Sequence, residues 1–168
     1  MIRVRLFGGF EAWHGETHLR GFESQKVRAL FSYLACQRER SFSREHLAGL
    51  LWPELDSESS RHALRQAIYN LRSALPGRNT DQPPLLTSHL EVRLNPETGL
   101  WLDVAQFEGA LDRGRGRDGT DPHHLAVAAQ LYRGDFLSGF FVRDSPKFED
   151  WLIAEQERLR DSALEALR

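Results

Sequence analysis

Between Ser59 and Thr80 the chain carries four arginines, Arg61, Arg65, Arg72 and Arg78, and no acidic residue. A guanidinium is a planar fork that grips a phosphate or a guanine edge through two parallel hydrogen bonds. Around these arginines, Leu64, Ala67, Ile68, Leu71 and Leu75 recur at helical spacing and predict one buried stripe. A turn of about 100° per residue then sets His62, Gln66, Tyr69 and Ser73 on the opposite side, with Arg61, Arg65 and Arg72 as a ridge along one flank. A solvated helix face normally mixes Glu with Lys or Arg. After Glu58 this helix has no acid, which favours an anionic partner over a merely solvated surface. Gln66 and Tyr69 project furthest and are candidates for base edges, since Gln pairs with adenine through two hydrogen bonds. The arginines suit phosphate or guanine. Arg72, next to Leu71, either joins them or braces the domain.

Other chemistries find little support. Cys36 is the only cysteine, so neither an internal disulfide nor a cysteine zinc cluster can form, and a buried helix position is expected for it. Of the seven histidines, His123 and His124 are adjacent and would point about 100° apart on a helix, a poor start for a metal site. No G-x-S-x-G elbow, P-loop or G-x-G-x-x-G run occurs. The expectation is a non-enzyme without metal or cofactor.

With 40% hydrophobic and 27% charged residues, the composition is that of a soluble folded chain. No run is long and apolar enough for a membrane span or a signal peptide, so a cytoplasmic protein without membrane association is expected. The net charge of −2 is unevenly spread. Residues 1–100 hold 13 Lys+Arg against 11 Asp+Glu, a surplus of two positive charges; residues 101–168 hold 9 against 13, a deficit of four. Distribution matters more than the sum for a nucleic-acid binder.

The elements needed to position the arginine helix can be read around it. Ile2 to Phe7 alternates with period two, and short strands are predicted at Phe10 to Trp13 and Thr17 to Leu19. From Ser24, a plausible N-cap, the period changes to 3.6, with Val27, Leu30, Phe31, Leu34 and Ala35 on one face. Ser43 can cap a short helix from Arg44 to Trp52, which Pro53 stops. The arginine helix is expected from about Ser57 to Leu75. Leu85 to Thr87 and Leu90 to Leu94 predict a terminal hairpin. Asn95 to Gly99 reads as a boundary, followed by helices. Asp103 with Gln106 has capping-box spacing for a helix to about Arg113. A flexible loop is expected at Gly114 to Thr120. Asp121-Pro122 and Ser145-Pro146 each combine an N-cap with Pro at the first helical position.

The Ser43-Arg44-Glu45-x-Leu47 run, Leu51-Trp52, and Arg61 through Leu71-Arg72 resemble the OmpR/PhoB type of winged helix. Trp101-Leu102-Asp103-Val104, Leu131-Tyr132-Arg133-Gly134-Asp135-Phe136-Leu137 and Phe148-Glu149-x-Trp151-Leu152 resemble the bacterial transcriptional activator domain. Together they are similar to the SARP-type regulators over nearly the whole chain. The resemblance implies an α+β fold: a winged helix-turn-helix over residues 1–96, then part of an all-α, tetratricopeptide-like domain over residues 97–168. It also implies a helix in the major groove of double-stranded DNA, a wing near the minor groove, contact with RNA polymerase, and a homodimer as an available state. The DNA-binding set is then Arg61, His62, Arg65, Gln66, Tyr69 and Arg72, with Arg44, Trp52 and Arg93 in supporting positions. Arg44 and Trp52 match places the family uses near the phosphate backbone, although Trp52 serves equally as a core anchor. Two departures stand out. The wing tip, Ser88-His89, is short and lacks an arginine, and the turn before the helix carries Glu54, Asp56 and Glu58. Both fit the alternative of a protein-interaction module that has lost DNA binding.

The last helix runs to the final residue without an ending signal. Phe148, Trp151, Leu152, Leu159 and Leu167 would form an apolar stripe needing cover. The expected cover is further helices of a longer regulator, a second copy, or the body of the same chain.

Overall fold

The computed structural model describes residues 1–22, 24–116, 119 and 121–167. Among the described residues, two small sheets and six helices alternate along the chain. The first sheet contains β1 (Ile2–Arg5), β2 (Glu11–His14), β3 (Thr17–His18) and β7 (Leu100–Leu102), in the order β3-β2-β1-β7. Helices α1 (Gln25–Cys36), α2 (Arg44–Leu51) and α3 (Ser57–Ala74) follow the first three strands. The second sheet is β4 (Phe42–Ser43), β5 (Leu85–Thr87) and β6 (Glu91–Leu94), in the order β4-β6-β5. Then come α4 (Asp103–Gly114), α5 (Pro122–Leu131) and α6 (Pro146–Ala166). This is a winged helix-turn-helix followed by a helical layer. The expected loop at 114–120 lies partly outside the described residues.

Local signals account for most boundaries. The Ser24 and Ser43 hydroxyls accept from the backbone N–H of Val27 and His46, and the Asp121 carboxylate accepts from His123 at 2.9 Å. Two expected caps do other work. Ser145 stands at the start of α6, but its hydroxyl donates 2.8 Å across the chain to the Leu51 carbonyl at the end of α2. Asp103 is not the N-cap of α4. It is the helix's first residue, almost wholly buried, and its carboxylate accepts from the N–H of Leu6 (2.9 Å), Phe7 (3.0 Å) and Val104 (2.8 Å).

Those bonds explain why β1 ends at Arg5 while the period-two pattern runs on to Phe7. Leu6 and Phe7 leave the sheet ladder, donate to Asp103, and meet the Asp135-Phe136-Leu137 segment. Leu137 N–H donates to the Leu6 carbonyl at 2.7 Å and Gly8 N–H to the Asp135 carbonyl at 2.9 Å. A Cβ on Gly134 would stand 3.2 Å from the Gly8 Cα, so this crossing requires glycine at 134. The Trp101-Leu102 stretch also behaves differently from the expected helical start. As β7 it pairs parallel with β1, so the strand leading into α4 completes the N-terminal sheet.

One continuous core results, from Val4, Leu30 and Leu71 through Phe107 and Phe136 to Phe148 and Leu159. The stripe on α6 is covered by the chain's own body: Phe148, Leu152 and Leu159 are buried, and Trp151 packs edge-on against Tyr33 and Phe136. Of the stripe, only Leu167 stays largely exposed. The stripe therefore supplies no argument for a second copy. No helix among the described residues is long and apolar enough to cross a membrane.

Burial pushes the Asp103 carboxyl above its ordinary value of 3.8, against the pull of its three N–H donors. A carboxyl raised in this way favours the folded chain at low pH, and that contribution is lost as pH rises through the raised value. Asp103→Ala should cost at least about 3 kcal/mol, because three buried N–H groups lose their acceptor at about 1–3 kcal/mol each. Asp103→Asn, which keeps one acceptor oxygen, should cost less, and its deficit should shrink as pH is raised above 4. Denaturant unfolding at several pH values checks both; an Ala variant as stable as the parent would remove the clamp from the account.

Candidate nucleic-acid interface

Helix α3 is fixed at its start by Asp56, whose carboxylate accepts from Ser59 N–H at 2.8 Å and is held below its ordinary value by the Ser59 N–H and hydroxyl. Leu64, Ala67, Ile68 and Leu71 are buried against α1 and α2. The opposite face presents Arg61, His62, Arg65, Gln66, Tyr69 and Ser73 to solvent, as the helical period predicts. Arg61 Nε donates to the Ser57 carbonyl at 3.1 Å, and Gln66 Nε2 to Asn70 Oδ1 at 3.2 Å.

The β5–β6 hairpin is tied to α3 by one arginine and to α2 by another. The Arg72 guanidinium donates to the Thr87 hydroxyl on β5. Arg44, opening α2, donates through Nε to the Ser88 carbonyl at 2.9 Å and through its backbone N–H to the Leu90 carbonyl at 2.8 Å. Partial burial lowers the pKa of Arg44, and the positive charges of Arg72 and Arg65 lower it further. Three guanidiniums thus share one field where α3 meets the wing.

None of Arg44, Arg61, Arg65, Arg72, Arg78 and Arg93 makes an ion pair among the described residues. In the helical layer, Arg115, Arg143, Arg158 and Arg160 all do. Among the described residues the arginines of α3 and the wing thus carry no carboxylate partner, as is also true of Arg113 and Arg133 in the helical layer.

Two of the nine residues expected in the interface stand apart from this cluster. Trp52 is half-buried at the end of α2, with the Lys26 ammonium 5.3 Å from its ring centre. Arg93 pairs with Leu86 across the hairpin, on the face opposite Thr87, and its Nε is buried without a partner. Arg72 takes the bracing position that its place beside Leu71 allowed. Sequence reasoning did not assign Arg78 a place in the site. Its guanidinium lies 5.1 Å from the Tyr69 ring centre and donates to the Ser73 hydroxyl at 3.1 Å, extending the exposed face past the helix end. Only its membership of the acid-free run hinted at this. At the wing tip, Leu90 is 75% exposed beside the exposed Ser88 and His89.

This geometry is that of a winged helix-turn-helix with an exposed cationic face on its third helix. Residues 23–90 match the family described as "Transcriptional regulatory protein, C terminal". The fold of the chain is similar to that of EmbR from Mycobacterium tuberculosis, solved in complex with a low-affinity phosphopeptide, with a TM-score of 0.70 and 23% sequence identity. The similarity covers 98% of this chain and 45% of that one, so the chain spans less than half of EmbR's length. No curated protein matches the sequence.

The braces and the free arginines should separate in unfolding experiments. Arg65→Ala removes an exposed side chain without a partner and should change stability by less than about 0.5 kcal/mol. Arg72→Ala loses the bond to Thr87 and should cost about 1 kcal/mol. Equal stability of the two variants would erase the distinction.

Proposed function

We propose that this protein binds double-stranded DNA sequence-specifically, with α3 in the major groove and the β5–β6 wing beside it. The observation that carries the reading is the exposed face of α3, where Arg61 and Arg65 stand beside Gln66 and Tyr69 and make no ion pair among the described residues. Free guanidiniums on a rigid helix face are suited to phosphates, whose condensed counterions they displace. Arg61 and Arg65 contact phosphate or guanine, Gln66 addresses an adenine edge, and Tyr69 with Arg78 contacts the strand beyond the end of α3. Arg44 and Arg72 hold the wing in register with the helix and add positive potential.

The division into residues 1–96 for DNA and 97–168 as a helical partner region belongs to the same reading. So do activation through RNA polymerase and binding as a homodimer on paired half-sites. The turn carrying Glu54, Asp56 and Glu58 repels DNA and suits a protein surface. The rival reading, a protein-interaction module without DNA binding, draws on that turn and on a short wing tip without arginine.

Mobility shifts against a duplex selected from a random pool test the reading. Binding should fall steeply with salt. Arg61→Ala and Arg65→Ala should each weaken it about tenfold, the equivalent of 1.4 kcal/mol, and flatten the salt slope by about one charge. Gln66→Ala should reorder the preferred sequences more than it lowers affinity. Wild-type binding that ignores salt, or variants indistinguishable from it, would favour the rival.

A further inference from the structure

The outer face of the N-terminal sheet holds a second concentration of positive charge, separate from α3 and the wing. Strand alternation sends Ile2 and Val4 into the core and leaves Arg3 and Arg5 on the other side. Arg3 is in register with Trp13 of β2 on one side and Trp101 of β7 on the other. Its guanidinium lies 4.7 Å from the Trp13 ring centre, and that of Arg5 lies 5.3 Å from the same ring. Two like charges therefore converge on one indole. Neither makes an ion pair among the described residues, although Glu11 is Arg5's register partner. Arg3 Nε is shielded from solvent and has no hydrogen-bond partner. Met1, Arg3, Arg5, Gly15 and Trp101 line an open hollow of about 430 Å³ at this face.

An arginine that merely covers a tryptophan needs one guanidinium and keeps its nitrogens in water. Here two guanidiniums crowd together and one donor is withdrawn from water without an acceptor, an unfavourable arrangement that an anion would relieve. A doubly charged oxyanion can accept from both forks at once. The half-buried Trp101 indole offers a flat apolar surface beside them. We propose that this face binds a small phosphate monoester carrying a flat ring, with the phosphate held by Arg3 and Arg5 and the ring against Trp101.

Calorimetric titration of the full chain tests this with four probes: adenosine monophosphate, phenyl phosphate, adenosine and inorganic phosphate. At least one ring-bearing phosphate should bind saturably and at least tenfold tighter than adenosine or inorganic phosphate; the tighter of the two tells a nucleotide from an aryl phosphate. Arg3→Gln combined with Arg5→Gln should weaken that binding at least tenfold while leaving duplex-DNA affinity unchanged. Arg5→Gln alone, at the rim of the site, should weaken it in the same direction if the double variant does not fold. Trp101→Leu should abolish the preference for a ring. No saturable binding of either ring-bearing phosphate, equal binding of inorganic phosphate, or binding unaltered in Arg5→Gln would overturn the proposal.

Discussion

The buried carboxylate of Asp103 is the constraint on which the arrangement of the chain depends. A carboxyl removed from water is costly unless hydrogen bonds replace its hydration. Here the replacement comes from the N–H groups of Leu6 and Phe7, nearly a hundred residues earlier, and from Val104. One side chain thereby fixes where β1 stops, where α4 begins, and how β7 enters the sheet between them. Because β1 ends there, Phe7 and Gly8 are free to pair with the segment around Phe136, and the sheet and the helical layer share a core. The two halves meet through buried backbone and side chains rather than through a linker.

That junction carries forward to the DNA-facing side. The same layer sets α6 against α2, where the Ser145 hydroxyl satisfies the last carbonyl of α2 and Trp151 packs on Tyr33. α2 supports α3 and also places Arg44 under the wing. Positive charge then collects where α3 and the wing converge, and among the described residues no acid pairs with it. Glu108, Asp135, Glu155 and Glu165 neutralise arginines of the helical layer, and Asp56 caps a helix. A net charge of −2 is thus compatible with a cationic face.

Much of this was legible in the sequence wherever local pattern decides the outcome. The 3.6-residue period placed α1, α2 and α3 and their buried stripes, and the acid-free run singled out the exposed face of α3. Legibility failed where a side chain serves a distant partner. Asp103 and Ser145 stand at sequence positions that read as caps, yet each bonds across the chain to a backbone group that local rules cannot locate. β7 was hidden because three residues next to a helix start carry no period, and only the long-range pairing with β1 makes them a strand. The contact between Arg78 and Tyr69 depends on the turn at Gly77 and was likewise invisible. The apolar stripe of α6 was read correctly as needing cover, but periodicity does not say which surface provides it.

The central claim is that DNA meets this protein on the exposed face of α3 and the wing that Arg44 and Arg72 hold beside it. Mapping backbone amide chemical shifts of the full chain, free and bound to a selected duplex, addresses it most directly. The account predicts perturbations concentrated from Arg61 to Arg78 and from Thr87 to Glu91, with α5, α6 and the Arg3–Trp101 face unmoved. Perturbations centred on the helical layer or the N-terminal sheet, or a spectrum that the duplex leaves unchanged, would contradict it.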